Sequence, residues 1–214
     1  MDETAKTLKE ANASKLLTML AINLAGFYLL QQAQAITLGE WGKLVSGLIS
    51  ALPAGAGLVI IGILDAQVTP NMKARLVFWR WRHPLPGCEA FTRHGPGDDR
   101  VGRAGMAALE AKFGPLPTDP GDQNALWFRM LCSVENLPKV LQAHRQFLFA
   151  RDYAFMSLLI LLVLSPAAAF LIHPPLTAWI YIGLLVVQWA MATNAARNNG
   201  IQFVGTVLGI KATE

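Results

Sequence analysis

Apolar positions along this chain gather into long charge-free runs, separated by one polar and basic stretch. Leu16 to Gln32 contains no charged residue, and neither do Leu44 to Leu64, Tyr153 to Ile172 and Leu176 to Ala196. A helix needs about 20 mainly apolar residues to cross a bilayer, so each run predicts a membrane span. The first run is the weakest of the four, because it holds Asn23 and ends in Gln31 and Gln32. The last two runs are joined by His173, Pro174 and Pro175, which read as a tight turn because proline cannot continue a helix from before it.

Ala33-Gln34-Ala35 has the small-x-small form of a secretory cleavage site. The segment before the first run lacks the positive bias of a signal, since Asp2, Glu3 and Glu10 balance Lys6, Lys9 and Lys15. The first run is therefore read as a retained helix.

Charge decides orientation. The turn after the first run holds only Lys43, and the turn at Pro174 holds no Lys or Arg. The stretch from Asp65 to Asp152 carries twelve, and Arg197 and Lys211 follow the last run. Lys and Arg are retained on the cytoplasmic side. The pattern thus predicts an all-α integral membrane protein, with four transmembrane helices as two hairpins and a mixed, mainly helical cytosolic insert. The expected segments are a tail and hairpin at 1–66, the insert at 67–150, a second hairpin at 151–197 and a tail at 198–214. Both termini would face the cytoplasm.

Within the insert, Pro70 opens and Pro84 closes a short interfacial helix that carries Lys73, Arg75, Trp79, Arg80, Trp81 and Arg82. Anionic headgroups attract each nearby Lys or Arg by about 1 kcal/mol, and tryptophan rings suit the headgroup level. The lipid bilayer is the first expected partner, and the basic segment would couple the insert to it. A pocket for a nucleotide or nucleic acid is the alternative, although no basic-aromatic motif of a known nucleic-acid module is present. The stretch from His83 to Gly105 is rich in Pro and Gly and reads as loop.

Three further helices are expected in the insert: Gly105 to Phe113 closed by Gly114, Asn124 to Cys132 capped by Asp122, and one capped by Asn136 with Pro138 in its first turn. Nothing breaks the last of these before Pro166. An unbroken helix over 137–172 would be roughly 54 Å long, against a hydrocarbon core of about 30 Å. After the last span, Asn198, Asn199 and Gly200 are expected to stop the helix. The apolar segment from Ile201 to Ile210 is too short to cross and would pack on the insert or lie in the interface.

Composition agrees with a membrane setting. The chain of 214 residues is 53% hydrophobic and 15% charged, with a mean hydropathy of +0.38 and a net charge of +4. Soluble domains carry about 25% charged residues. Two cysteines form no disulfide framework. The spans hold no Asp, Glu, Lys or Arg, which argues against ion-coupled transport, proton relay and voltage sensing. Their neutral polar groups, Asn23, Ser46, Ser50, Ser165, Gln188, Thr193 and Asn194, either bond between helices or line a water-filled path. Small residues at Ala21 and Ala25, and at Ser46 and Ser50, allow close helix approach. Pro166 should kink its helix and is a candidate hinge. His83, Cys88, His94 and Cys132 match no standard zinc spacing. Cys88 with His83 or His94 as nucleophile and base lacks any flanking signature. No metal and no cofactor are expected.

In its order of elements across the whole chain, the protein resembles the small four-helix membrane effectors of bacterial anti-phage systems. No motif carries that resemblance, so no site residue comes with it. It implies a cytosolic part that senses a signal and a membrane part that oligomerises and breaches the inner membrane. Two other readings stay open. One is an anchor or adaptor that recruits a cytosolic protein partner; the other is a membrane-bound enzyme using Cys88, His83, His94 and His144.

Overall fold

The computed structural model describes residues 8–32, 63 and 67–214, with side chains from Asn12 onward in the first stretch. Every regular element among the described residues is helical. They are α1 (Leu8–Gln31), α2 (Pro70–Phe78), a 3-10 turn (Pro86–Glu89), a π turn (Ala90–His94), α3 (Gly102–Phe113), α4 (Pro120–Val134), α5 (Pro138–Leu171) and α6 (Pro175–Thr213). Three of the helices are long and apolar enough to cross a membrane: α1 from Asn12 to Gln31, α5 and α6. The expected span from Leu44 to Leu64, with Ser46 and Ser50, lies outside the described residues apart from Ile63.

The chain divides into two compact units, Met1–Thr69 with Asp152–Thr193, and Pro70–Arg151 with Asn194–Glu214. In the first, Leu20, Ile160, Ala168 and Ile172 are fully buried. Large apolar side chains also point outward: Ile22 on α1, Leu162 and Phe170 on α5, Trp179, Leu184 and Met191 on α6. Helices apolar on all faces are at home in lipid, where outward apolar groups carry no solvation penalty. Polar groups bond between helices here. The Tyr181 hydroxyl donates to the Asn23 carbonyl at 3.4 Å, and the Gln188 amide donates to the Tyr153 hydroxyl at 2.9 Å.

The second unit has its own apolar core. Leu109 of α3, Trp127, Met130, Leu131 and Val134 of α4, Val140 and Phe147 of α5, and Phe203, Val204, Val207 and Leu208 of α6 are buried together. Phe203 is the hub: Trp127 meets it edge-on at 5.2 Å, and His144 stacks on it at 4.8 Å. Such ring pairs add about 0.5–1.5 kcal/mol beyond the area they bury.

Local chemistry explains several boundaries. Gly114 closes α3 with φ +81°, a conformation glycine adopts at little cost. Helix α4 begins earlier than its apolar pattern suggests. Its cap is Asp119 rather than Asp122, with the carboxylate accepting from Gly121 N at 2.8 Å and Asp122 N at 3.2 Å, and Pro120 fills the first helical position. Helix α5 starts at Pro138 and runs through Pro166 to Leu171, so that reading of the pattern holds. Within the stretch expected to be loop, the 3-10 and π turns form between Pro86 and His94.

Two expectations fail for tertiary reasons. Asn198, Asn199 and Gly200 do not end α6, which continues to Thr213. A Cβ on Gly200 would lie 2.8 Å from Phe78 Cζ and 3.1 Å from Phe147 Cε2, so glycine there admits two rings rather than stopping the helix. The segment after it packs against the insert. Helix α2 likewise ends at Phe78 instead of running to Pro84, because Trp79 turns left-handed with φ 54°.

Candidate functional site: a basic and aromatic turn held by the last helix

Arg197 is the first charge after the apolar run of α6, and it reaches back to the end of α2. Its Nε donates to the Val77 carbonyl at 2.5 Å, and its guanidinium lies 4.6 Å from the Trp79 ring centroid. The last carbonyls of a helix have no partner within it. A planar cation that both caps one of them and stacks on the next residue's ring is suited to fix this turn.

Beyond that clamp the basic-aromatic segment separates into three parts. Trp79 and Trp81 are 67% and 74% exposed, and Arg75 and Arg82 are exposed as well. Lys73 is 3% exposed and so is not on that surface. Arg80 turns the other way and pairs with Glu89 at 2.7 Å. Glu89 also faces Arg93 at 3.4 Å and His94 Nε2 at 3.8 Å. Burial pushes the Glu89 carboxyl up, but the bond and charge of Arg80, with Arg93 and His94 behind it, leave it below its ordinary value. His94 is buried and its pKa falls, chiefly through loss of water, against the opposing pull of Glu89.

Gln123 anchors the π turn. Wholly buried, its carbonyl oxygen accepts from Phe91 N at 3.0 Å and from Thr92 N and Oγ1 at 3.2 Å, while its amide donates to the Thr118 carbonyl at 2.9 Å. One side chain thereby answers buried backbone groups that a non-α turn leaves open. A second fork lies further on, where Arg100 grips Asp98 through Nε at 2.9 Å and through Nη2 at 2.6 Å. Arg100 also donates to Thr206 Oγ1 at 3.1 Å. The fork rests against Gly205 of α6, where a Cβ would collide with the Asp98 carboxylate.

Of the polar residues expected in the spans, Ser46 and Ser50 lie outside the described residues. Asn23 bonds its own helix at the Met19 carbonyl, Gln188 bonds Tyr153, and Asn194 is exposed. Pro166 is exposed on α5, and beside it the buried Ser165 hydroxyl has no hydrogen-bond partner among the described residues. Burial pushes the Cys88 thiol up, which favours its protonated form. Cys132 is exposed, His83 is exposed, and no group of three or more metal-ligating side chains exists among the described residues.

The sequence points to the basic-aromatic segment but not to its clamp. Arg197, Gln123 and Glu89 lie in no motif, and each acts across 9 to 120 positions of chain. The one available signal is that Arg197 interrupts a long uncharged stretch. Compared with protein families, with curated proteins and with solved structures, the chain finds no match.

Proposed function

We propose that this protein is an oligomeric channel or membrane-disrupting effector of a bacterial inner membrane, gated by its cytosolic insert. The observation that carries the reading is that α5 and α6 are each unbroken and each belong to both units. At 34 and 39 residues they extend about 51 and 58 Å. Charges end their apolar parts on one side: Arg151 and Asp152 on α5, Arg197 on α6. Tyr153 to Leu171 rises about 28 Å and Pro175 to Ala196 about 33 Å, close to the roughly 30 Å of hydrocarbon. The remainder of each helix contributes to the core of the insert. A tether would need only a flexible linker, whereas α5 and α6 each continue as helix past Arg151 and Thr193, where the units divide.

In this reading both termini are cytoplasmic, and Arg75, Trp79, Trp81 and Arg82 meet anionic headgroups. Few helices per chain cannot enclose a wide pore, so several copies assemble. The test is reconstitution into liposomes loaded with a small dye, with the assembly sized in nanodiscs. Multimers that release dye support the proposal. A strict monomer without conductance overturns it. If unrelated helices can replace the spans without loss of function, and a soluble protein co-purifies, the chain is an anchor instead.

A further inference from the structure

We propose that the insert holds a binding cleft for a small, hydroxyl-bearing phosphate monoester, between the start of α5 and the second half of α6. The cleft has a volume of about 240 Å³. Lys139, Gln142 and Gln146 line it from α5, and Asn199, Gln202 and Thr206 from α6. Each set follows the i, i+3, i+7 spacing of one helical stripe, so two polar stripes face the same space. Ala143 lies between the α5 residues, and its short side chain leaves the space open.

Recognition chemistry follows from this lining. Among the described residues, the side chains of Lys139, Gln142, Gln146 and Asn199 have no hydrogen-bond or ion-pair partner. Arg100 closes the rim, held in place by Asp98 and Thr206. Gly205 lets that fork lie flat on α6. No carboxylate lines the cleft; of its two cations, Arg100 is paired with Asp98 at 2.6 Å and Lys139 is not. Lys139 supplies the cation that selects an anion, with the paired Arg100 beside it on the rim. Four amides, each able to donate and accept, suit a hydroxylated body, whereas the Thr206 hydroxyl is already engaged, donating to the Gln202 carbonyl at 2.7 Å and accepting from Arg100. Pockets for drug-sized ligands begin near 300 Å³, so the occupant is small. The cleft lies wholly within one unit, and its binding does not depend on the channel reading.

The test uses the full chain in nanodiscs of zwitterionic lipid, titrated calorimetrically with ribose 5-phosphate, inorganic phosphate and ribose. Saturable binding of ribose 5-phosphate is expected, weaker binding of phosphate, and none of ribose. Lys139→Gln should weaken ribose 5-phosphate at least tenfold and Gln202→Leu several-fold, with unchanged circular dichroism because both positions are exposed. Loss of soluble binding in nanodiscs of anionic lipid would assign the same site to a headgroup phosphate. No saturable heat at millimolar ribose 5-phosphate, or equal affinity in Lys139→Gln, overturns the proposal. Binding is read by heat and channel function by dye release, so failure of one is distinct from failure of the other.

Discussion

Replacing Arg197 by alanine should loosen α2 from its C-terminal end. At nine residues, α2 is too short to be stable by itself and depends on its tertiary contacts. The substitution removes a charge-assisted bond to the Val77 carbonyl, worth about 1.5–3 kcal/mol, and a stacking contact with an exposed ring, worth about 0.5–1 kcal/mol. Together that is about 2–4 kcal/mol, or roughly thirty- to several-hundred-fold in the opening equilibrium of the last turn. Hydrogen exchange on the full chain in nanodiscs reads it directly, as faster exchange of the Ala74 to Phe78 amides with α4 unchanged. Trp79 emission should shift as its ring loses the cation. Arg197→Lys should recover only part of the protection, because a single ammonium cannot cap the carbonyl and stack on the ring at once. If Arg197→Ala leaves α2 exchange at the wild-type rate, the clamp contributes nothing and the reasoning about this turn is wrong.

Gln123→Met keeps the volume of a wholly buried side chain but strands the Phe91 and Thr92 amides, so a loss of about 2–4 kcal/mol is expected in urea unfolding of the insert; an unchanged midpoint would refute it. Gly200→Ala gains about 1 kcal/mol of helix propensity yet drives a methyl into Phe78 and Phe147, at about 1–3 kcal/mol for overpacking. Its net effect on the melting temperature should therefore be a decrease, and an increase would show that the rings have room to move. Acid should destabilise the insert in two steps. His94 has its pKa depressed by folding, so its contribution is complete above the ordinary value of 6.5 and is lost as pH falls below it. Glu89 and Asp98, also depressed, lose theirs below the ordinary 4.5 and 3.8. His94→Gln should reduce but not abolish the upper step, because burial also depresses His144 in the same core, while leaving the lower step; a pH profile identical to wild type would contradict this.

Much of the helical layout is already decided by the order of residues. Charge-free runs long enough for a bilayer, proline at the first position of α5, and Gly114 after α3 act through backbone geometry and solvation, which need no distant partner. The apolar period of α4 is likewise legible, although its cap is off by three residues, because Asp119 and Asp122 are equally good acceptors on paper and Pro120 tips the choice. What the chain alone leaves open are the features set by residues meeting from far apart. Gly200 reads as a helix stop until two phenyl rings are seen against it. Trp79 and Arg80 read as neighbours on one basic face until Arg197 takes the first and Glu89 the second. Gln123 is an unremarkable polar residue in sequence, and its worth comes entirely from the open amides of a turn thirty positions earlier. Local preferences are short-ranged and so can be read residue by residue, whereas packing and polar pairing depend on which surfaces the folded chain brings together.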